Sequence, residues 1–247
     1  MSRLGDFYRS VIGKKAIVAV TGLIMILFLI GHVTGNLKIF LPDPEPGVYD
    51  IDAYAEFLRS VGEPLVPHEG VLWGTRAVLL LSVLLHALCV IQLAARNRAA
   101  RPVGYSSVRY KQATLPARMM MVSGVLLLAY VVFHILHFTT GTVLPASFEE
   151  GAVYANLYRA FSSWPLVILY VAGMALVAFH LYHGAWSVFQ TFGIDNPDRN
   201  RSLRLLALVL AVLIFAGFVT VPVSFLAGLH DAPAGIGSAA AHSAGGK

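Results

Sequence analysis

Charge is scarce in this chain. Of its 247 residues 13% are charged and 57% hydrophobic, and the mean hydropathy is +0.71. A soluble domain carries roughly 25% charged residues, so most of this surface does not face water. Cysteine is almost absent: Cys89 stands alone in an apolar run, which excludes an intrachain disulfide and leaves no thiol set for an iron–sulfur cluster. There is no Gly-rich dinucleotide fingerprint, since the glycines are scattered through apolar segments. Flavin or iron–sulfur chemistry would therefore have to reside in another chain. No apolar run has an acid in its interior. The net charge of +5 does not indicate a nucleic-acid partner, because the basic residues gather in loops on one side of the apolar segments, as membrane topology requires. Met1 to Lys15 is not expected to be a cleaved leader: the apolar run after it is too long, and a small-residue cleavage site is lacking.

What the chain does have is long apolar stretches. A run of about 20 apolar residues crosses roughly 30 Å of hydrocarbon, and five such spans are predicted, at Ala16–Phe40, Val71–Ala95, Arg118–Leu144, Trp164–Phe192 and Leu203–Leu229. The expected fold is an all-α integral membrane bundle, a single domain over 1–230, with a disordered Ala/Gly/Ser-rich tail at 231–247. Arg3, Arg9, Lys14 and Lys15 precede the first span. Arg96, Arg98, Arg101, Arg109, Lys111 and Arg118 separate the second from the third, and Arg199, Arg201 and Arg204 the fourth from the fifth. The other loops are acidic, with Asp43, Glu45, Asp50, Asp52, Glu56, Glu63 and Glu69 in one and Glu149 and Glu150 in the other. The positive-inside rule puts the N-terminus in the cytoplasm and the C-terminus outside. Three short helices are also expected: an interfacial one carrying Leu4, Phe7, Tyr8, Val11 and Ile12 on one face, one through Tyr54, Phe57, Leu58 and Val61, and one opened by a Ser147/Glu150 capping box.

Six of the nine histidines lie inside the first four spans: His32, His86, His134, His137, His180 and His183. An ionisable side chain in a membrane helix is costly and marks a functional site by default. At about 1.5 Å per residue, His32 and His134 lie roughly 26 and 24 Å from the cytoplasmic ends of their spans, and His86 and His180 each about 15 Å. The four thus sort into an outer pair and an inner pair. In an up-down bundle, helices one and three face each other diagonally, as do two and four. Each pair can therefore supply two axial imidazoles to one haem iron. Zinc or copper would want three or four ligands converging at one depth. His137 and His183, one turn further on, are on the same faces and could each replace its neighbour as ligand, but the role expected for them is to bond a haem propionate or a quinone headgroup. Arg76, Arg118 and the Lys14/Lys15 pair are candidate propionate partners. Gly31, Gly35, Gly124, Gly173 and Gly184 suit either a flat macrocycle or close helix packing.

The sequence resembles the single-chain, dihaem cytochrome b subunit of succinate:menaquinone reductases and fumarate reductases. The resemblance spans almost the whole chain. FLIGHVTGN surrounds His32, LLHALCVI surrounds His86, VVFHILH surrounds His134, and FHLYHGAWSVFQTFGI runs from Phe179 to Ile194. It implies two b haems ligated by His32 with His134 and by His86 with His180, and menaquinone as the membrane substrate. It also implies a flavoprotein subunit and an iron–sulfur subunit on the cytoplasmic face of a bacterial membrane, with electrons entering at the inner haem and leaving from the outer. The glutamate that some relatives use in a proton path falls on Ala178, so the resemblance does not extend to that path. Two other readings stay open: the cytochrome b of a quinone-linked hydrogenase or formate dehydrogenase, and a haem-free anchor. The charge pattern makes one prediction on its own. A periplasmic reporter fused after Glu150 or at the C-terminus should be active and one fused after Arg101 inactive; the reverse pattern would invert the topology.

Overall fold

The computed structural model describes residues 3–100, 115–144 and 148–233. Those residues fold into helices without strands. Eight α-helices follow one another: α1 (Arg3–Arg9), α2 (Val11–Asn36), α3 (Asp50–Ser60), α4 (Gly70–Ala99), α5 (Leu115–Phe138), α6 (Val153–Phe161), α7 (Trp164–Thr191) and α8 (Asn200–Leu226). A 3-10 turn, Leu37–Phe40, extends α2. Five of them, α2, α4, α5, α7 and α8, are long and apolar enough to cross a membrane. This is an all-α, multi-pass membrane protein. Leu27, Leu80, Val125 and Leu213 are all more than 60% exposed, as side chains that face lipid rather than a protein core should be.

Packing runs α2 on α4, α5 on α7, α2 on α7, and α8 against α7 and α2. The diagonals are α2 with α5 and α4 with α7, as the up-down topology requires. Among the described residues α4 and α5 are not one of the closely packed pairs. The closest packing is α7 on α8, where Ala185, Ala207 and Ala211 are buried; small side chains let helix backbones approach where no hydrophobic force distinguishes protein from lipid. Gly217 admits Val33 from α2, because a β-carbon there would lie 2.5 Å from its Cγ2. The most peripheral span is α5: only 6% of its most apolar stretch is buried, against 33% for α8.

Several expected boundaries move. The third span stops at Phe138, six residues before Leu144. Gly141 and Leu144 both take positive φ there, and the Gly141 α-carbon is covered by the Phe148 ring. The N-terminal helix is not continuous with Val11 and Ile12. Ser10 caps α2 by accepting the Gly13 amide at 2.8 Å, and the chain turns so that the Phe7 carbonyl lies over Gly13, where a β-carbon would collide at 1.9 Å. A serine hydroxyl that satisfies an orphan amide ends one helix and starts another. The capping-box expectation also changes. Ser147 lies outside the described residues, α6 begins only at Val153, and its Tyr154 amide is capped from another helix, by Asp52 Oδ1 at 2.9 Å. The tail predicted from Asp231 is described as far as Pro233. Its first residue is held, since the Asp231 carbonyl accepts the Tyr154 hydroxyl at 2.8 Å.

These contacts build a cap over the acidic end. Tyr49 and Tyr154 stack 3.5 Å apart at 2°. The Asp52 carboxyl has its pKa raised by burial, partly offset by the Tyr154 and Val153 amides. Losing a side-chain cap costs about 1 kcal/mol. Asp52→Ala should therefore lower the unfolding midpoint in detergent, whereas Asp52→Asn, which keeps an acceptor, should stay near wild type; equal midpoints for Ala and wild type would remove this role for Asp52.

Candidate functional site

Each histidine of the predicted pairs has the same relation to its helix as its counterpart one hairpin later. His32 lies four residues before the end of α2 and His134 four before the end of α5. His86 and His180 each lie sixteen residues after the first residue of α4 and α7. Because the helices alternate in direction, this puts two histidines at each of two depths. The rings of His32 and His134 have centroids 6.0 Å apart at 76°, and those of His86 and His180 6.4 Å apart at 56°. An imidazole nitrogen lies about 2 Å from a bound first-row metal, so two imidazoles on opposite sides of one metal have centroids roughly 6 Å apart. Both pairs have that spacing. Among the described residues no group of three or more His, Cys, Asp or Glu could hold a metal. A metal held by either pair would take two protein ligands from it.

A groove of about 510 Å³ runs between α2 and α4, lined by Ile24, Phe28, Val71, Gly74, Thr75, Val78 and Leu79. Ile24 and Phe28 sit at helical spacing below His32 on α2, and Thr75, Val78 and Leu79 lie on the His86 side of α4. Phe28 stacks on His32 at 5.3 Å, and Phe218 lies 5.4 Å from it. The histidine nitrogens differ in their partners. His86 Nδ1 contacts Thr21 Oγ1 at 3.2 Å, and His180 Nδ1 contacts Ser123 Oγ at 3.3 Å. His134 Nδ1 is buried without a hydrogen-bond partner.

The two further histidines differ from each other. His137 is buried and tied by Nδ1 to the Tyr170 hydroxyl at 2.8 Å, in an aromatic cluster with Phe133, Phe138 and Tyr130. The Tyr130 hydroxyl in that cluster is buried without a partner. His183 leans on Ser187 at 3.3 Å through Nε2 and has its Nδ1 buried and unpaired. Beside it, the Arg204 guanidinium lies 4.1 Å from the Trp186 ring centroid, and both Arg204 Nε and Trp186 Nε1 are buried without partners. A buried donor with no acceptor is costly. A carboxylate brought by a cofactor would satisfy these atoms.

The candidate cations are placed as follows. Arg76 lies over the Trp73 ring at 4.7 Å. Arg118 falls in α5, and its side chain is outside those described. Lys14 is buried between the Tyr8 ring, 3.8 Å away, and the Gln92 side-chain oxygen, so it is already paired, while Lys15 is exposed. The loop carboxylates are engaged too: Glu69 with Arg59 and Trp73, Glu63 with His68. Thr21, Ser123, Tyr130 and Tyr170 were not singled out by the sequence. Arg204 stood there only as a loop charge, and Trp186 only within the segment from Phe179 to Ile194.

The glycines divide by function. A β-carbon on Gly173 would lie 2.3 Å from the Tyr130 ring and one on Gly35 2.7 Å from Tyr54, whereas Gly31 and Gly184 meet nothing within 4 Å. Gly173 thus lets Tyr130 sit between α5 and α7, beside His134 at 6.3 Å. Gly173→Ala should lower the unfolding midpoint of the detergent-solubilised chain by several degrees, and Gly184→Ala should leave it unchanged; equal effects would refute this division. Compared with known proteins, the chain matches no family model, no curated protein and no solved structure.

Proposed function

We propose that this chain is the membrane-anchor cytochrome b subunit of a succinate dehydrogenase, carrying electrons from an iron–sulfur subunit through two bis-histidine b haems to menaquinone. The observation that carries this reading is the pairing of four intramembrane imidazoles at two depths, 6.0 and 6.4 Å between centroids. The choice of enzyme rests on the sequence resemblance alone. When bound, a b haem supplies a one-electron iron couple, closed to oxygen by two imidazoles.

The chain's own residues have separate tasks in this reading. His86 and His180 hold the group nearer the basic end of the bundle, and His32 and His134 the one nearer the acidic end. His183, Trp186 and Arg204 offer donors to a propionate near the basic end, and Arg204 also brings a positive charge. His137, fixed by Tyr170, sits one turn beyond the outer pair, where a quinone headgroup would need a hydrogen-bond donor. The flavoprotein and iron–sulfur partners would dock on the basic loops, which the charge pattern puts on the cytoplasmic side.

A dithionite-reduced minus oxidised spectrum of the purified full chain should show b-type bands at two haems per chain. His86→Ala and His180→Ala should each remove one component, and His32→Ala and His134→Ala the other. A wild-type chain without b-type bands would overturn the reading and favour a haem-free anchor. Reduction of both components by succinate in the copurified complex would select succinate dehydrogenase over a hydrogenase or formate dehydrogenase; reduction by hydrogen or formate instead would reverse that choice.

A further inference from the structure

The first two long spans and the next two repeat a detail that lies outside the histidines. Thr21-Gly22 on α2 and Ser123-Gly124 on α5 each precede a histidine, His32 and His134, by eleven residues, in TGLIMILFLIGH and SGVLLLAYVVFH. Eleven residues make about three helical turns, so hydroxyl and histidine share a face at two depths. In each hairpin the hydroxyl of the first helix reaches the histidine of the second, Thr21 to His86 and Ser123 to His180. The glycine beside each hydroxyl faces the same ring: β-carbons on Gly22 and Gly124 would lie 3.6 and 3.5 Å from Cε1 of His86 and His180. Both hydroxyl residues are buried, at 5% and 3% exposure.

The helices give each hydroxyl a carbonyl acceptor of its own. Thr21 donates to the Ile17 carbonyl at 2.7 Å, and Ser123 to the Met120 carbonyl at 3.2 Å. A hydroxyl has one proton, so each can accept from the imidazole, and for His86 the Val18 carbonyl is a second acceptor. Nδ1 then carries the ring proton and Nε2 is bare, the form that binds a metal. The other pair has no such arrangement, since His134 Nδ1 has no partner.

We propose that Thr21 and Ser123 are paired positioning residues for the basic-end site, each fixing one histidine in the Nδ1–H tautomer so that His86 and His180 present Nε2 to a single iron. This rests on the haem reading given above. A partner that accepts Nδ1–H raises the basicity of the ligating nitrogen and so favours ferric iron. Loss of the hydroxyl should therefore raise the midpoint potential of that haem alone. Outer-shell partners act on a bound metal by factors of about 10 to 100, and a tenfold change in the redox equilibrium is about 59 mV for one electron.

The test compares Thr21→Val, Ser123→Ala and the conservative Thr21→Ser in the full chain in nanodiscs. The basic-end haem is identified as the one lost in His86→Ala. Both hydroxyl-free variants should raise its potential by about a tenfold equilibrium change, with the other haem unmoved and Thr21→Ser close to wild type. Should Thr21→Val lose that haem altogether, retention in Thr21→Ser supports the proposal and loss in Thr21→Ser overturns it. Unchanged potentials, or equal shifts in both haems, also overturn it. A second readout needs no haem: ¹⁵N-histidine NMR of the full chain should find His86 and His180 protonated at Nδ1, shifting toward a tautomer mixture in Thr21→Val and Ser123→Ala. Wild type without haem but with this tautomer pattern would remove the haem reading and keep the hydrogen-bond assignment; wild type with two haems and the Nε2–H tautomer would do the opposite.

Discussion

An imidazole carried into hydrocarbon brings two ring nitrogens that water can no longer satisfy, and leaving such an atom unpaired costs on the order of 1–3 kcal/mol. Six histidines in four spans therefore demand partners, and much of the arrangement of the bundle can be read as the supply of them. Thr21 and Ser123 each serve one ring from the adjacent helix, Tyr170 serves His137, and Ser187 serves His183. The rings of His32 with His134 and of His86 with His180 lie 6.0 and 6.4 Å apart between centroids, the spacing of two imidazoles on one metal. A histidine kept merely for helix packing would not need its counterpart at equal depth on the diagonal helix.

The same economy of contact shapes the helices. Lipid is as apolar as leucine, so burying leucine between spans gains little, and the closest contacts fall on Ala185, Ala207, Ala211, Gly173 and Gly217. Outside the membrane the logic reverts to that of a soluble protein. There Asp52 caps α6 from α3, Lys38 pairs with Asp50 at 3.1 Å, and Tyr154 joins three segments at once. The acidic end is thus closed by polar bonds and stacked rings, and the membrane part is closed by shape.

The span count, the two depths and the membership of each histidine pair were legible in the sequence, because they depend on helix rise and on hydropathy, which are local. What depended on chain reversal was not. Gly141 ends α5 early because Phe148 covers it, and Ser10 divides a helix whose apolar face looks continuous on paper. Asp52 replaces the local cap that Ser147 and Glu150 suggested. Thr21 and Ser123 were invisible for a different reason: a lone hydroxyl in an apolar helix usually bonds its own backbone, as these two also do, and only the neighbouring helix reveals the second bond. Lys14, whose charge at a span entrance suggested a cofactor partner, is held by Tyr8 and Gln92.

The side between α4 and α5 has a consequence for assembly. At the acidic end Tyr49 and Tyr154 stack within the polar cap. Among the described residues α4 and α5 are not one of the closely packed helix pairs. On the haem reading proposed above, a planar guest would enter laterally through this side, into spans already threaded through the bilayer.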